Sequence, residues 1–308
     1  MREDRIAGFP ALVADGRRDR PLLLLMHGAF STHEPFRPWL RIFATHGWRA
    51  VAVARRGRLG LGPAKAAGLQ FSDYLEDSRR VIEALGEPPV LIGHSLGGLI
   101  AQKLAEEGRC AAAVLLAPAP PRTLVPSLNA IRALAPLVPG MLIGKPVDPR
   151  ASICEQIALN RVSPSERKRI CEGLVHESGI VFREMILGKV RVDATKVRCP
   201  IRVIAASEDR VIPPWLAAWT AEQYRAEFVM HENYGHWLIE EPDTEAIASD
   251  IIRWLDGITL GAAALGASAL QLGAVQRGRR TRADRHEEVA QAQREVSVDA
   301  GCQASHPV

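Results

Sequence analysis

Hydrophobic positions along the chain fall into two alternating rhythms. WRAVAVA (48–54), PPVLIGH (88–94) and AAAVLLA (111–117) read as strands, and PLLLLMH (21–27) is a continuous apolar run. A strand reads this way when both faces of its sheet are covered. Between them the apolar residues recur at helical spacing. Residues 35–46 read as a helix ended by Gly47, residues 71–85 as a second (Tyr74, Leu75, Val81, Ile82, Leu85), and residues 97–107 as a third. Ser72 stands where it can cap the second. Regular strand–helix order predicts a mostly parallel sheet with helices on both faces. The rhythm breaks at PAPPR (118–122). Residues 123–196 hold no convincing strand but several short helical patterns, at 128–137, 151–159 and 164–176. Ser163 is placed to cap the last of them, with Glu166 at the capping-box position. The strand–helix order then resumes with PIRVIAA (200–206), a helix at 214–223, a strand at 226–231 and a helix at 242–256.

The expected architecture is therefore an α/β core, doubly wound, built from residues 1–122 and 197–256. A helical cap, residues 123–196, is inserted after the last strand before the break. Beyond residue 256 the composition shifts. Ile258 to Val275 is uncharged and rich in Ala, Gly and Leu, and RGRRTRADRHEE follows. A poorly ordered or loosely docked helical tail over 257–308 is the expectation. A tail anchor in a membrane is the competing reading, at the lower length limit and with marginal insertion energy.

Composition narrows the function. The 308 residues are 47% hydrophobic and 24% charged, which excludes pervasive disorder, a collagen-like chain and a polytopic membrane protein. Lys+Arg is 39 against 35 for Asp+Glu, and aromatics are only 5%. Without a basic cluster interleaved with aromatics, no nucleic-acid partner is expected. The five cysteines, Cys110, Cys154, Cys171, Cys199 and Cys302, are odd in number and contain no C-x-x-C pair. Neither a zinc site nor a disulfide framework is expected, and a reducing, cytoplasmic compartment fits best. The first twenty residues contain no apolar run resembling a signal peptide.

The strongest local signal is Gly93-His94-Ser95-Leu96-Gly97, followed by Gly98, at a strand-to-helix junction. That is the context a G-x-S-x-G motif requires. In so tight a turn, side chains at 93 and 97 would collide with their neighbours, and the serine is forced into a strained backbone. The turn lifts the Ser95 hydroxyl clear of the sheet, at a helix N-terminus that favours negative charge. A serine hydroxyl needs a base, and the base an orienting carboxylate. Asp209 follows the strand at 200–206, and His236 follows the strand at 226–231. Taken singly, Asp209 reads as a helix cap or surface ion pair, with Glu208 its local competitor, and His236 as a solvated loop residue. Three such residues at successive strand ends, in the order nucleophile, acid, base, point instead to one site. Two N–H donors for an oxyanion are expected from Leu96 and from Ala29 in the loop His27-Gly28-Ala29-Phe30. His27 and His94 read as hydrogen-bonding supports.

Together, HG at 27–28, GHSLGG at 93–98, SEDRVIPP at 207–214 and YGHW at 234–237 resemble the α/β-hydrolase fold family. The nearest likeness is its serine esterase, lysophospholipase and monoacylglycerol-lipase-like branch. The resemblance covers roughly residues 15–256. It implies a helical cap after the sixth strand, with Ser95 as nucleophile, Asp209 as triad acid and His236 as general base. It also implies that no metal or organic cofactor is needed. A serine nucleophile speaks against the epoxide hydrolase and haloalkane dehalogenase branches, which use an aspartate there. Two departures stand out. Arg58 occupies a position where relatives commonly carry histidine, and with Arg55 and Arg56 it reads as solvated rather than substrate-attracting. The family's usual first hairpin is hard to place in residues 1–14.

The implied reaction is hydrolysis of a small-molecule carboxylic ester through an acyl-enzyme. Apolar residues between Leu124 and Ile143, Leu128 and Met141 among them, are candidates for an acyl pocket, with Phe30 and Trp237 at its mouth. They favour a medium or longer acyl chain. The alternatives are a thioesterase, lactonase, amidase, C–C hydrolase or perhydrolase on the same triad, or a non-catalytic binding module.

Overall fold

A computed structural model describes residues 1–58, 63–122, 135–149 and 157–258. Most of them belong to one compact unit, Met1–Arg253. A second unit, Trp254–Val308, is described only over residues 254–258, which are helical. Most of the 128–137 helical pattern, residues 151–156, Leu128, and the uncharged run beyond residue 258 lie outside the described residues.

Eight strands form one sheet in the order β1-β2-β4-β3-β5-β6-β7-β8. β1 (Arg2–Ile6) and β2 (Phe9–Ala14) make a hairpin, and β2 also runs antiparallel to β4 (Ala50–Val53). All other pairings are parallel, through β3 (Leu23–Met26), β5 (Val90–His94), β6 (Ala112–Leu116), β7 (Ile201–Ala206) and β8 (Glu227–His231). Every residue of β3, β5, β6 and β7 is buried. For β3 that is the burial expected from its continuous apolar run. β8 closes the edge and is half-exposed.

The hairpin corrects the reading of the first fourteen residues. Ala7 and Gly8 both take positive φ, 51° and 87°, and join Ile6 to Phe9 in a two-residue turn. Two positive φ values are what such a turn requires. The strand escaped detection because REDRI is almost wholly exposed and carries no apolar period. Charge on an edge strand is a common protection against unwanted pairing.

The helices follow the sequence closely. They are α1 (Arg37–Thr45), α2 (Phe71–Leu85) and α3 (Leu96–Glu106), with α3 packed on β5 and β6. The cap of α2 is Gln70, whose N–H donates to the Asp73 carboxylate at 2.8 Å, and not Ser72. Between β6 and β7 lie α4 (Val138–Leu142), α5 (Pro164–Gly173) and α6 (Gly179–Ile186). Ser163 caps α5 through Glu166 N at 3.4 Å, while the Glu166 carboxylate turns to Arg169, so only half of the capping box forms. A lone antiparallel bridge, Val147 to Glu177, ties this segment together. After β7 come α7 (Pro214–Tyr224), packed on it, and α8, residues 244–253.

Parallel pairing of β6 and β7 also creates a cysteine pair that sequence spacing did not reveal. Cys110 and Cys199 precede the two strands, and their free thiols lie 3.6 Å apart.

Candidate active site

Ser95 sits between the end of β5 and the start of α3, at φ 53° and ψ −117°. A non-glycine residue held there is strained, and strain of this kind concentrates at functional sites. Two glycines make the turn possible. A Cβ on Gly97 would lie 2.2 Å from Met26 O, and one on Gly93 would lie 2.5 Å from Gly97 O. The backbone around the serine is anchored on both sides, Ser95 N donating to Leu116 O at 2.9 Å and Ala119 N to Ser95 O at 3.0 Å.

Ser95, His236 and Asp209 come together from three strand ends. Asp209 Oδ2 accepts from His236 Nδ1 at 2.8 Å, and His236 Nε2 lies 3.0 Å from Ser95 Oγ. Asp209 Oδ1 accepts the N–H groups of Val211 and Ile212 at 2.7 and 2.8 Å, so the carboxylate is fully engaged and buried. With Nδ1–H given to the carboxylate, Nε2 is left as an acceptor for the serine hydroxyl. An imidazole placed so can take that proton and hold the resulting charge against the carboxylate. Glu208, the local competitor, points elsewhere and pairs with Arg161 at 3.5 Å on the surface.

Two supports hold the histidine loop. His94 Nε2 donates to His236 O at 2.8 Å. Burial pushes the His94 pKa down to about 3, aided by His236, so this ring is neutral. The second support, Glu241, escaped the sequence reading. Its Oε2 accepts from Gly235 N at 2.7 Å, while Oε1 is buried without a hydrogen-bond partner among the described residues. Burial pushes this carboxyl up to about 7, against the hydrogen bond from Gly235. The signal available was only a Glu five residues past the histidine, which no motif singles out.

Opposite the serine, Ala29 and Leu96 both line the cavity beside Ser95. Leu96 is the first residue of α3, so its N–H has no intrahelical acceptor. Gly28 permits the close approach, since a Cβ there would meet His94 Nδ1 at 3.0 Å and Ser95 Cβ at 3.1 Å. Behind this loop the arginines depart from the sequence reading. Arg55 and Arg58 are buried, not solvated, and only Arg56 is partly exposed. Arg58 pairs with Glu177, whose other oxygen accepts from Tyr74 Oη at 2.6 Å. Burial alone would raise the Glu177 carboxyl, but Arg58 and Arg55 more than offset it and hold it below the usual range.

The cavity beside Ser95 has a volume of 90 Å³ and walls that are almost wholly apolar. Phe30 and Trp237 line it, as expected. Met141 does not. It is fully buried and is not among the lining residues. The apolar walls come instead from Ile157, Leu159, Leu174, Phe182 and Met185, with Val211 and Ile212 from the loop after β7. Phe182 packs on Phe30 with ring centroids 5.5 Å apart. Trp237 and Leu174 also border a larger, more polar groove of 400 Å³ that includes Ser31, Arg37, Arg169 and Glu240. Among the described residues no cluster of His, Cys, Asp and Glu could hold a metal, and no helix is long and apolar enough to cross a membrane.

This arrangement of sheet, serine turn and strand-end residues defines a class of protein, and comparison with known proteins agrees. The model of the alpha/beta hydrolase family matches residues 23–249, and the chain belongs to that family. Mouse epoxide hydrolase 4 is 36% identical over 95 residues, which are 30% of this chain; the match spans 26% of that relative's length. Among solved structures, the monoacylglycerol lipase of Paleococcus ferrophilus is similar with a TM-score of 0.62 and 21% identity, over 83% of this chain and 98% of that one. A thermophilic esterase from Thermogutta terrifontis is similar with a TM-score of 0.62 and 18% identity, over 84% and 100%. At such identities the likeness is one of fold.

Proposed function

We propose that the protein is a serine hydrolase that cleaves carboxylic esters through an acyl-enzyme. The observation that carries this reading is the unbroken hydrogen-bonded chain Ser95–His236–Asp209, with its serine on a strained turn beside an apolar cavity. Ser95 Oγ attacks the ester carbonyl carbon while His236 Nε2 takes its proton. Asp209 holds the imidazole in the required tautomer and stabilises the imidazolium. The N–H groups of Ala29 and Leu96 receive the oxyanion. Losing one such donor typically costs ~10²–10³ in rate. His236 then protonates the leaving alcohol, and water releases the acyl group by the same path. The intact serine favours this chemistry over that of the epoxide hydrolase relative, and the lipase and esterase names among the similar structures agree with it.

The segment between β6 and β7 acts as a cap that selects the acyl chain. Leu159, Leu174, Phe182 and Met185 give it an apolar inner face, which suits a medium or longer hydrocarbon. Hydrolysis of p-nitrophenyl esters from acetate to palmitate, by the wild type and by Ser95→Ala, tests both statements. Turnover that vanishes in Ser95→Ala, with an optimum beyond acetate, is the expected result. A folded wild type inert on every ester, but active on thioesters or lactones, would replace the ester assignment.

A further inference from the structure

We infer that Arg55 is a positioning residue that sets the orientation of the Gly28–Ala29 peptide and so aims the Ala29 N–H at the oxyanion. The inference rests on the reading of Ala29 as a donor in the proposed reaction. It begins with a difficulty at Gly28. A Cβ at this position would press on His94 and Ser95, so glycine gives the loop its closest approach. The same lack of a side chain leaves the following peptide free to rotate. In the wrong orientation that peptide would present a carbonyl oxygen to the developing negative charge instead of an N–H.

The structure supplies the constraint from behind. Gly28 O accepts two hydrogen bonds, from His27 Nδ1 at 2.9 Å and from Arg55 Nη2 at 3.0 Å. Arg55 Nη1 donates to the preceding carbonyl, His27 O. The backbone N–H of Arg55 donates to His27 Nε2 at 3.3 Å, which leaves the proton on Nδ1 and makes that ring a donor to Gly28 O. The 28–29 peptide is trans, so its C=O and N–H point to opposite sides. A carbonyl pulled towards Arg55 therefore turns the Ala29 N–H away from it, on a residue that lines the cavity with Ser95.

Arg55 is an expensive way to make two hydrogen bonds. It is buried, both of its side-chain hydrogen bonds go to neutral carbonyls, and its Nε has no partner among the described residues. Burial and the neighbouring Arg58 lower its pKa to about 10, and Glu177 works against them. A buried cation without a directly bonded carboxylate is a local rule broken, and such breaks concentrate where function demands them. Glu177 lies on the segment between β6 and β7, so that segment contributes a charge that favours the Arg55 guanidinium beneath the loop.

The test compares wild type, Arg55→Met and Arg55→Lys by three readouts. The first is the orientation of the 28–29 peptide in crystal structures, which needs no substrate and so stands even if no ester is turned over. The second is the split between kcat and KM on the best p-nitrophenyl ester. The third is inhibition by an alkyl trifluoromethyl ketone. Ser95 Oγ adds to its carbonyl carbon, His236 takes the proton, and the ketone oxygen becomes an oxyanion. Arg55→Met is expected to turn or disorder that peptide and to lower kcat by ~10–10²-fold, part of the loss of a whole donor. KM should stay within about threefold, and ketone affinity should fall in step with kcat, because the donor acts mainly on the oxyanion. Arg55→Lys should recover part of both. If Arg55→Met does not fold, Arg55→Lys carries the test, with a smaller fall in kcat at unchanged KM. A peptide that keeps its orientation overturns the inference whatever happens to kcat. So does a variant that loses thermal stability but keeps kcat and ketone affinity. A wild type inactive on every ester, with the peptide turned in Arg55→Met, would instead count against the ester reading alone.

Discussion

The sheet and the segment between β6 and β7 are held by different forces. The sheet is centred on the wholly buried strands β3, β5, β6 and β7, with backbone ladders running from β1 to β8. Its site residues stand at strand ends, where the ladder itself sets their spacing. The intervening segment shares the apolar core through Val181, Met185, Val190 and Val192 and adds separate polar contacts to the rest. Arg58 pairs with Glu177, Ser178 Oγ donates to Leu69 O at 2.6 Å, Phe71 N donates to Glu184 at 2.8 Å, and Asn160 Nδ2 donates to Glu208 O at 3.0 Å. Periodic apolar packing tolerates exchange among similar side chains. A buried ion pair does not, since removing one partner strands the other. In the proposed reaction, then, the chemistry would rest on the robust region and substrate choice on the segment with more individual contacts.

Substitutions can break or sharpen this contrast. Ser95→Ala should have the largest effect, lowering kcat/KM on the ester series by a factor on the order of 10⁴–10⁶ while leaving the thermal midpoint nearly unchanged. Next comes Glu177→Ala, which leaves Arg58 buried and unpaired. Denaturant unfolding should report a loss of ~3–5 kcal/mol, and replacing both partners by apolar residues should recover most of it. If Glu177→Ala costs no more than a surface substitution, the division between the two regions fails.

Glu241 gives a smaller effect with a distinctive pH signature. Its carboxyl is raised to about 7 in the folded protein, so the folded state holds a proton that the unfolded chain has released. Stability from this group is full below the unfolded pKa and falls as pH rises through the folded value, to a limit of ~3–4 kcal/mol. Glu241→Gln should remove that slope between about pH 4.5 and 7. It should also be the more stable protein at neutral pH, because a Gln amide can donate to Asn160 Oδ1, buried beside Gly235 without a partner among the described residues. Thermal midpoints of the two proteins across that range check the sign. The smallest effect is expected from Phe182→Ala or Met185→Ala, which open the cavity wall. The ratio of long- to short-chain ester turnover should shift by roughly threefold to tenfold, since a methylene in an apolar pocket carries ~1–3 kcal/mol at most. An unchanged ratio would remove these two residues from the acyl pocket.

What could be read along the chain followed from local rules. Covered strands announce themselves as apolar runs. Gly93 and Gly97 announce a turn that admits no side chain, and the strand ends announced Asp209 and His236. Reading failed where the cause lay far away in sequence. Arg58 looked solvated because its partner is 119 positions away, and Cys110 meets Cys199 across 89. Met141 sits at helical spacing like any lining residue, yet it is buried outside the cavity lining, while Phe182 and Met185 line it. The charged strand β1 carried no apolar period at all.

The sequence by itself determined the six strands from β3 to β8, the order of the elements along them and the candidate serine, carboxylate and imidazole. Backbone sterics and hydrophobic periodicity act over a few residues and leave their mark in the local pattern. Only the tertiary structure decided which side chains wall the cavity, which charges are buried, and how Arg55 and Glu241 support the loops. Those outcomes depend on desolvation and on partners brought together from distant segments, and no short stretch of sequence records them.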